Sequence, residues 1–246
     1  MLKLATGATY AVGEASAPFS RFLTYSVPKS WCVPFLETQD KIVTFLGIAT
    51  PLDPPTIQLR PEERVWARSE LISSGLTNTQ PILGVQCSSV VPSKCWPAKN
   101  FGEVVSMLWR QFPELAVISF GISRERGSAE VAHNSAGSVY WLEGTGKWKI
   151  RETLAMLSEC DLFISGDTGL MHMAAAIGTR TVSIFGPTST TRRAPLHNGG
   201  VALCPDSPCH PCFRGRWTPC DCICSIMPER VFAAAEQYLK PYVSIG

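Results

Sequence analysis

Apolar and polar positions along this chain follow two rhythms, and the change between them divides it. From about residue 80 onward, short β-type runs alternate with amphipathic segments. Ile82 to Cys87 reads as a strand, and Phe101, Val104, Val105, Leu108 and Phe112 then recur at the 3.6-residue spacing of one helix face. Leu115 to Phe120 predicts a second strand, followed by a short polar segment. Ser138 to Leu142 predicts a third, Ile150, Leu154 and Leu157 mark a helix, and Asp161 to Ser165 a fourth strand. A helix over Leu170 to Ile177 is stopped by Gly178, and Thr181 to Phe185 reads as strand five. A last helix runs from Pro228 to about Leu239. Strand and helix alternating in this way imply an α/β domain, a parallel sheet covered on both faces.

The first 76 residues lack that rhythm. Pro18, Pro28, Pro34, Pro51, Pro54 and Pro55 interrupt them. They leave a helix near Glu37 to Leu46, a short strand at Thr56 to Leu59, and a helix that Pro61 starts and Gly75 ends. The expected division is therefore 1–76 and 77–246. Composition adds boundaries to this picture. With 246 residues and 17% of them charged, the chain can bury a sizeable core, and a net charge of +2 without long like-charge runs gives no nucleic-acid surface. No apolar run approaches the roughly 18 residues of a membrane span, and the start lacks a leader pattern, so a non-secreted chain is expected.

Residues 161 to 189, DLFISGDTGLMHMAAAIGTRTVSIFGPTS, carry the densest chemistry. A buried strand runs into Gly166, Asp167, Thr168 and Gly169, and a helix of small residues starts at once. Asp167 or Thr168 can cap that helix, and Gly169 lets a ligand approach the backbone. Free N–H groups and the positive helix end would then face the carboxyl edge of the sheet, where a phosphate or diphosphate fits. His172 lies one turn into the helix, either facing a ligand or serving structure alone. Asp167 equally has a plain reading as a cap. Phe185 to Thr188 ends the next strand at the same edge and predicts another wall of the cleft. Neither a Walker sequence nor GxGxxG is present.

Two further loops at that edge are candidates. Ser88, Ser89 and Lys94 follow the first strand and could hold phosphate oxygens, with a solvated surface lysine as the alternative. Gly121 to Glu125 follows the second strand, and Glu125 could take a ribose diol or be plain surface. Six of the ten cysteines fall between residues 204 and 224, while Cys32, Cys87, Cys95 and Cys160 read as small buried hydrophobes. Cys209, Cys212, Cys220, Cys222 and Cys224 offer enough thiolates for a tetrahedral zinc, and disulfides or free thiols are the other readings.

Together SKCWP (93–97), the Gly121 to Glu125 loop, GDTGLMHMAAAIG (166–178), SIFGPTS (183–189) and CHPCFRG resemble the C-terminal half of one glycosyltransferase family. That is family nine, which contains the ADP-heptose:lipopolysaccharide heptosyltransferases. The resemblance covers about residues 80 to 240. It implies a GT-B architecture with a Rossmann-like donor domain, and a looped structural segment rather than a metal site at residues 204–224. It also implies an inverting, metal-independent enzyme with no cofactor, taking a nucleotide-sugar donor, ADP-heptose first, and a lipid-linked saccharide acceptor of lipopolysaccharide type. By the same resemblance, Thr168 and Gly169 hold the diphosphate, Asp167 approaches the sugar hydroxyls and His172 supports the site. Lys94, with Ser88 or Ser89, neutralises the phosphates, and Gly121 and Glu125 meet the ribose. The implied location is cytoplasmic, with peripheral contact at the inner face of the inner membrane.

One departure from the family pattern stands out. The family's general base is a carboxylate in a glycine-rich loop early in the N-terminal domain. None of Glu14, Glu37, Asp40, Asp53, Glu62, Glu63 and Glu70 sits in such a turn, although Glu14 follows Gly13. Residues 1–76 are also too few for a second Rossmann half, which takes on the order of 120 residues. An incomplete N-terminal half, and donor binding with little transfer, are therefore expected. The rival reading is a non-catalytic nucleotide-sugar-binding module.

Overall fold

The computed structural model describes residues 7–15, 19–30, 33–48, 53–77, 80–195, 199–207, 210–212 and 221–240. It separates into two compact units. One comprises Met1–Pro54 with Thr191–Arg193, the other Pro55–Thr190 with Ala194–Gly246. Packing thus divides at Pro54 and Pro55, upstream of the compositional change near residue 76.

In the first unit, strands β1 (Val12–Ala15) and β2 (Tyr25–Pro28) pair in parallel, Val12 opposite Tyr25. Helix α1 (Phe35–Phe45) follows, and the Phe45 ring stacks on Tyr25 with centroids 3.7 Å apart. Arg192 organises this unit. Its buried guanidinium donates to Glu14 Oε1 at 2.7 Å and to the Ser30 carbonyl at 2.5 Å, and lies 5.3 Å from the Phe35 ring centroid. Glu14 therefore sits within a strand and is ion-paired, which removes its claim to a place in a strand-to-helix turn.

The second unit opens with an extended segment and helix α2 (Pro61–Ser73), and its chain then enters strand β3 (Ile82–Gln86). After it come α3 (Ala98–Gln111), β4 (Ala116–Ser119), α4 (Arg126–Ala136), β5 (Tyr140–Glu143), α5 (Ile150–Ser158) and β6 (Leu162–Gly166). The remainder is α6 (Gly169–Ala176), β7 (Thr181–Ile184), α7 (Thr190–Arg193, whose last three residues belong to the first unit), β8 (Gly200–Leu203), α8 (Asp221–Cys224) and α9 (Pro228–Leu239). All six strands of the sheet are parallel, in the order β5-β4-β3-β6-β7-β8. The α/β, Rossmann-like expectation holds.

Strand periodicity builds two cores from one sheet. Leu83, Val85, Leu162 and Ile164 face α3, α4 and α9, while Ile82, Ile118 and Phe163 face α2, α5 and α6. Gly84 gives room for this second layer, since a Cβ there would stand 2.9 Å from the Phe163 ring.

Several elements differ from expectation, beginning with the β1 and β2 pair, where the proline-interrupted stretch predicts no strand before Thr56. The polar segment after β4 contains α4, whose buried positions are Ala129, Ala132 and Ala136. A sixth strand, β8, closes the edge. Thr56 to Leu59 forms no strand; the Ile57 N–H instead donates to the Ala176 carbonyl at the end of α6.

Candidate functional site

The order of strands creates a crevice. From β3 the chain moves outward to β4 and β5, then returns to the other side of β3 for β6, so the loops after β3 and β6 diverge at a topological switch point. Lys94 comes from the first of these loops and Asp167 from the second. Pro92 begins a single 3-10 turn, Pro92–Lys94, that carries the lysine. Glycine makes room for it: a Cβ on Gly166 would stand 3.1 Å from the Lys94 carbonyl, and one on Gly186 3.1 Å from the Ser93 carbonyl. Trp96, 2% exposed, fixes the loop from below by donating Nε1–H to the Ile226 carbonyl at 3.0 Å.

Lys94 and Asp167 form an ion pair, Nζ to Oδ2 at 2.5 Å, and Thr188 of the loop after β7 donates to the same oxygen at 2.7 Å. Asp167 is buried and Lys94 lies at the rim, with side chains 3% and 17% exposed. Asp167 is thus no helix cap. That task falls to Thr168, whose hydroxyl accepts the Met171 N–H at 3.4 Å. Gly169 begins α6 and is exposed, and a Cβ there would meet no atom within 4 Å, so packing does not require glycine at the helix start. His172 is exposed in the first turn of α6.

Glu125 is buried, in a 3-10 turn after β4. Its Oε2 accepts from the Ile122 N–H at 3.1 Å and from Gln86 Nε2 at 3.2 Å, while Oε1 is buried without a partner. Gly121 has φ +144°, and a Cβ on it would stand 2.5 Å from Glu125 Oε2. Only glycine fits there. Gln86 in turn accepts from Thr168 Oγ1 at 2.7 Å. The structure therefore joins Lys94, Asp167 and Thr188 in one cluster and Thr168, Gln86 and Glu125 in a second, with Asp167 and Thr168 adjacent in sequence.

Ser89 is half-buried, its Oγ accepting the Val91 N–H of its own loop at 3.2 Å, and Ser88 beside it is half-buried too. Two participants escaped the sequence reading. Gln86 belongs to no motif; its only signal is a polar residue ending an otherwise apolar strand. For Thr188 the sequence predicts a place in the cleft wall but not its bond to Asp167. Beyond these, Ser119 and the Thr145 N–H donate to Glu143 Oε1 at 2.9 Å and 2.6 Å, bracing the ends of β4 and β5.

Among the scattered cysteines, Cys87 and Cys160 are buried and Cys95 is half-buried, whereas Cys32 lies outside the described residues. Burial pushes the Cys87 thiol far up, and the nearby Glu143 and Glu125 charges add to it. Cys87 is no nucleophile in this state. Of the clustered cysteines, Cys209 and Cys220 fall outside the described residues. Among the described residues, no three His, Cys, Asp or Glu side chains gather as a metal site would require, and no helix is long and apolar enough to cross a membrane.

With this geometry in hand, the likeness to known proteins is informative. The profile of glycosyltransferase family 9 (heptosyltransferase) matches residues 3–219. Lipooligosaccharide heptosyltransferase 2 of Campylobacter jejuni is 29% identical over 171 residues, 67% of this chain and 53% of that protein. Lipopolysaccharide heptosyltransferase 2 of Salmonella typhimurium is 24% identical over 149 residues, 59% of this chain and 42% of that protein. The chain spans about half the length of the curated relatives it matches. In fold, it resembles a family 9 glycosyltransferase from Veillonella parvula, with TM-score 0.77 at 23% identity, covering 98% of this chain and 70% of that one. The ADP-heptose lps heptosyltransferase II of Escherichia coli gives TM-score 0.74 at 19% identity, with coverage of 98% and 72%. A profile match across most of the chain, on motifs that build one crevice, places this protein in glycosyltransferase family 9.

Proposed function

We propose that this chain carries the donor site of an inverting, metal-independent transferase of heptosyltransferase type. Its donor is ADP-heptose and its acceptor a lipid-linked saccharide of lipopolysaccharide type, reached at the cytoplasmic face of the inner membrane. The observation that carries the reading is the Lys94, Asp167 and Thr188 cluster at the switch point, set beside the capped, open N-terminus of α6.

The chemistry follows from the placement. The diphosphate meets the free N–H groups of Gly169 and its neighbours, where the helix dipole favours negative charge. Lys94 then exchanges part of its contact with Asp167 for phosphate oxygens and stabilises the nucleoside diphosphate as the sugar bond breaks. Asp167, still held by Thr188, is left to accept hydroxyls of the sugar. His172 lies one turn along the same helix and supports the diphosphate end. Glu125, by its unpartnered Oε1, takes a ribose hydroxyl. The base that removes the acceptor's proton is not among these residues and belongs to the acceptor side.

Titration calorimetry with ADP, GDP, UDP and CDP tests the reading. ADP should bind most tightly, and no heat with any of the four overturns the donor assignment.

A further inference from the structure

Gln86 is the one polar residue of β3, a strand buried along its whole length. Its amide is engaged at both ends, accepting from Thr168 Oγ1 at 2.7 Å and donating to Glu125 Oε2 at 3.2 Å. Chemistry fixes that orientation. A carboxylate only accepts, so the NH2 group faces Glu125 and the carbonyl faces the Thr168 hydroxyl. The hydroxyl spends its proton on Gln86 and keeps a lone pair for the Met171 N–H, which is the cap of α6. One side chain thus spans the crevice floor, from the helix end that faces a diphosphate to the loop that carries Glu125.

We infer that Gln86 is a positioning residue of the donor site, holding Glu125 so that Oε1 is the oxygen kept for a ligand hydroxyl and keeping the Thr168 cap in register with it. It touches no reacting atom. The inference deepens the proposed donor reading and rests on it for the nature of that hydroxyl, a ribose hydroxyl. Glu125 Oε1 is a buried acceptor with no partner, the state in which a polar atom awaits a donor. If the Gln86 amide is lost, Oε2 loses a donor as well, and the carboxylate is free to turn.

The test uses the full 246-residue chain and titration calorimetry with ADP and 2′-deoxy-ADP between pH 5.5 and 8. Wild-type protein should prefer ADP by tenfold or more, and Gln86→Leu should narrow this to under threefold by weakening ADP. Lys94→Ala should weaken both nucleotides alike. Gln86→Glu is the decisive variant. At neutral pH it sets two carboxylates against each other; once protonated, it offers a carbonyl to Thr168 and an O–H to Glu125. Its discrimination should therefore return as pH falls, a rescue that mere filling of space does not produce. Glu143, Cys87, Lys94, Asp167 and, in the first turn of α6, His172 are the other titratable groups near the relay, and all are common to wild type, which serves as the reference at each pH.

Full discrimination in Gln86→Leu, or a pH-independent Gln86→Glu, overturns the inference. Should wild-type protein ignore both nucleotides, the donor reading falls by itself, and the relay is judged without ligand. Glu125→Ala and Thr168→Val should each speed hydrogen exchange of the Gln86 side-chain amide tenfold or more by NMR. Unchanged exchange overturns the relay.

Discussion

Removing Lys94 should have two separable effects. A charge-assisted hydrogen bond to phosphate contributes about 1.5–3 kcal/mol, so Lys94→Ala should weaken ADP binding tenfold or more by calorimetry. Unchanged affinity would leave Lys94 only the structural role of partner to Asp167. The same change strips a buried carboxylate of its cation, leaving Asp167 with Thr188, and urea unfolding should register a loss of about 1–3 kcal/mol without ligand. Thr168→Ala should cost about 1 kcal/mol through the lost cap, while Thr168→Ser should keep most of it. Residues of this kind were legible where a motif names them: a lysine after a strand, or Asp-Thr-Gly before small residues. Gln86 was illegible because a lone polar residue at a strand end becomes meaningful only when the neighbours 39 and 82 positions away are known.

Elements show where periodicity fails. The α3 stripe is made of large side chains and reads directly, whereas the buried stripe of α4 is all alanine and scarcely differs from its polar surroundings. The two helices meet through small residues. A Cβ on Gly102 would stand 2.2 Å from the Ala132 carbonyl and 2.6 Å from Ser135 Cβ. Gly102→Ala gains up to about 1 kcal/mol in helix propensity, yet it meets backbone, which cannot swing aside. Overpacking of about 1–3 kcal/mol should win, seen as a lower urea midpoint. A raised midpoint would mean that α3 and α4 can part at little cost. The edge strand β8 was missed for a related reason, since four residues behind Gly199 carry too few positions to set a period.

On the scale of the whole molecule, the sequence conveyed alternation and sheet type but not strand order, so the switch point could be named only as an edge. It also left open that α2 belongs with the sheet. That helix is tied across 88 positions by Arg151, whose Nε and Nη2 grip Glu63 at 2.7 Å and 2.5 Å. The Arg151 bond, helped by the Arg60 N–H, holds the Glu63 carboxyl at about 2, well below its ordinary 4.5. A depressed carboxyl favours the folded state above its unfolded value, and that contribution is lost as pH falls from 4.5 toward 2. Urea midpoints followed from pH 5 to pH 2.5 should therefore fall more steeply in wild type than in Arg151→Met. Parallel slopes would remove Glu63 from the acid response.

Trp96 has a consequence for biosynthesis. Its indole holds the Lys94 loop against the carbonyl of residue 226, 130 positions downstream. During translation β3 to β6 and Asp167 are all synthesised before that carbonyl exists. The Lys94 loop is therefore braced late, once residue 226 has been made, and a nascent chain halted before that residue holds its lysine on an unbraced turn.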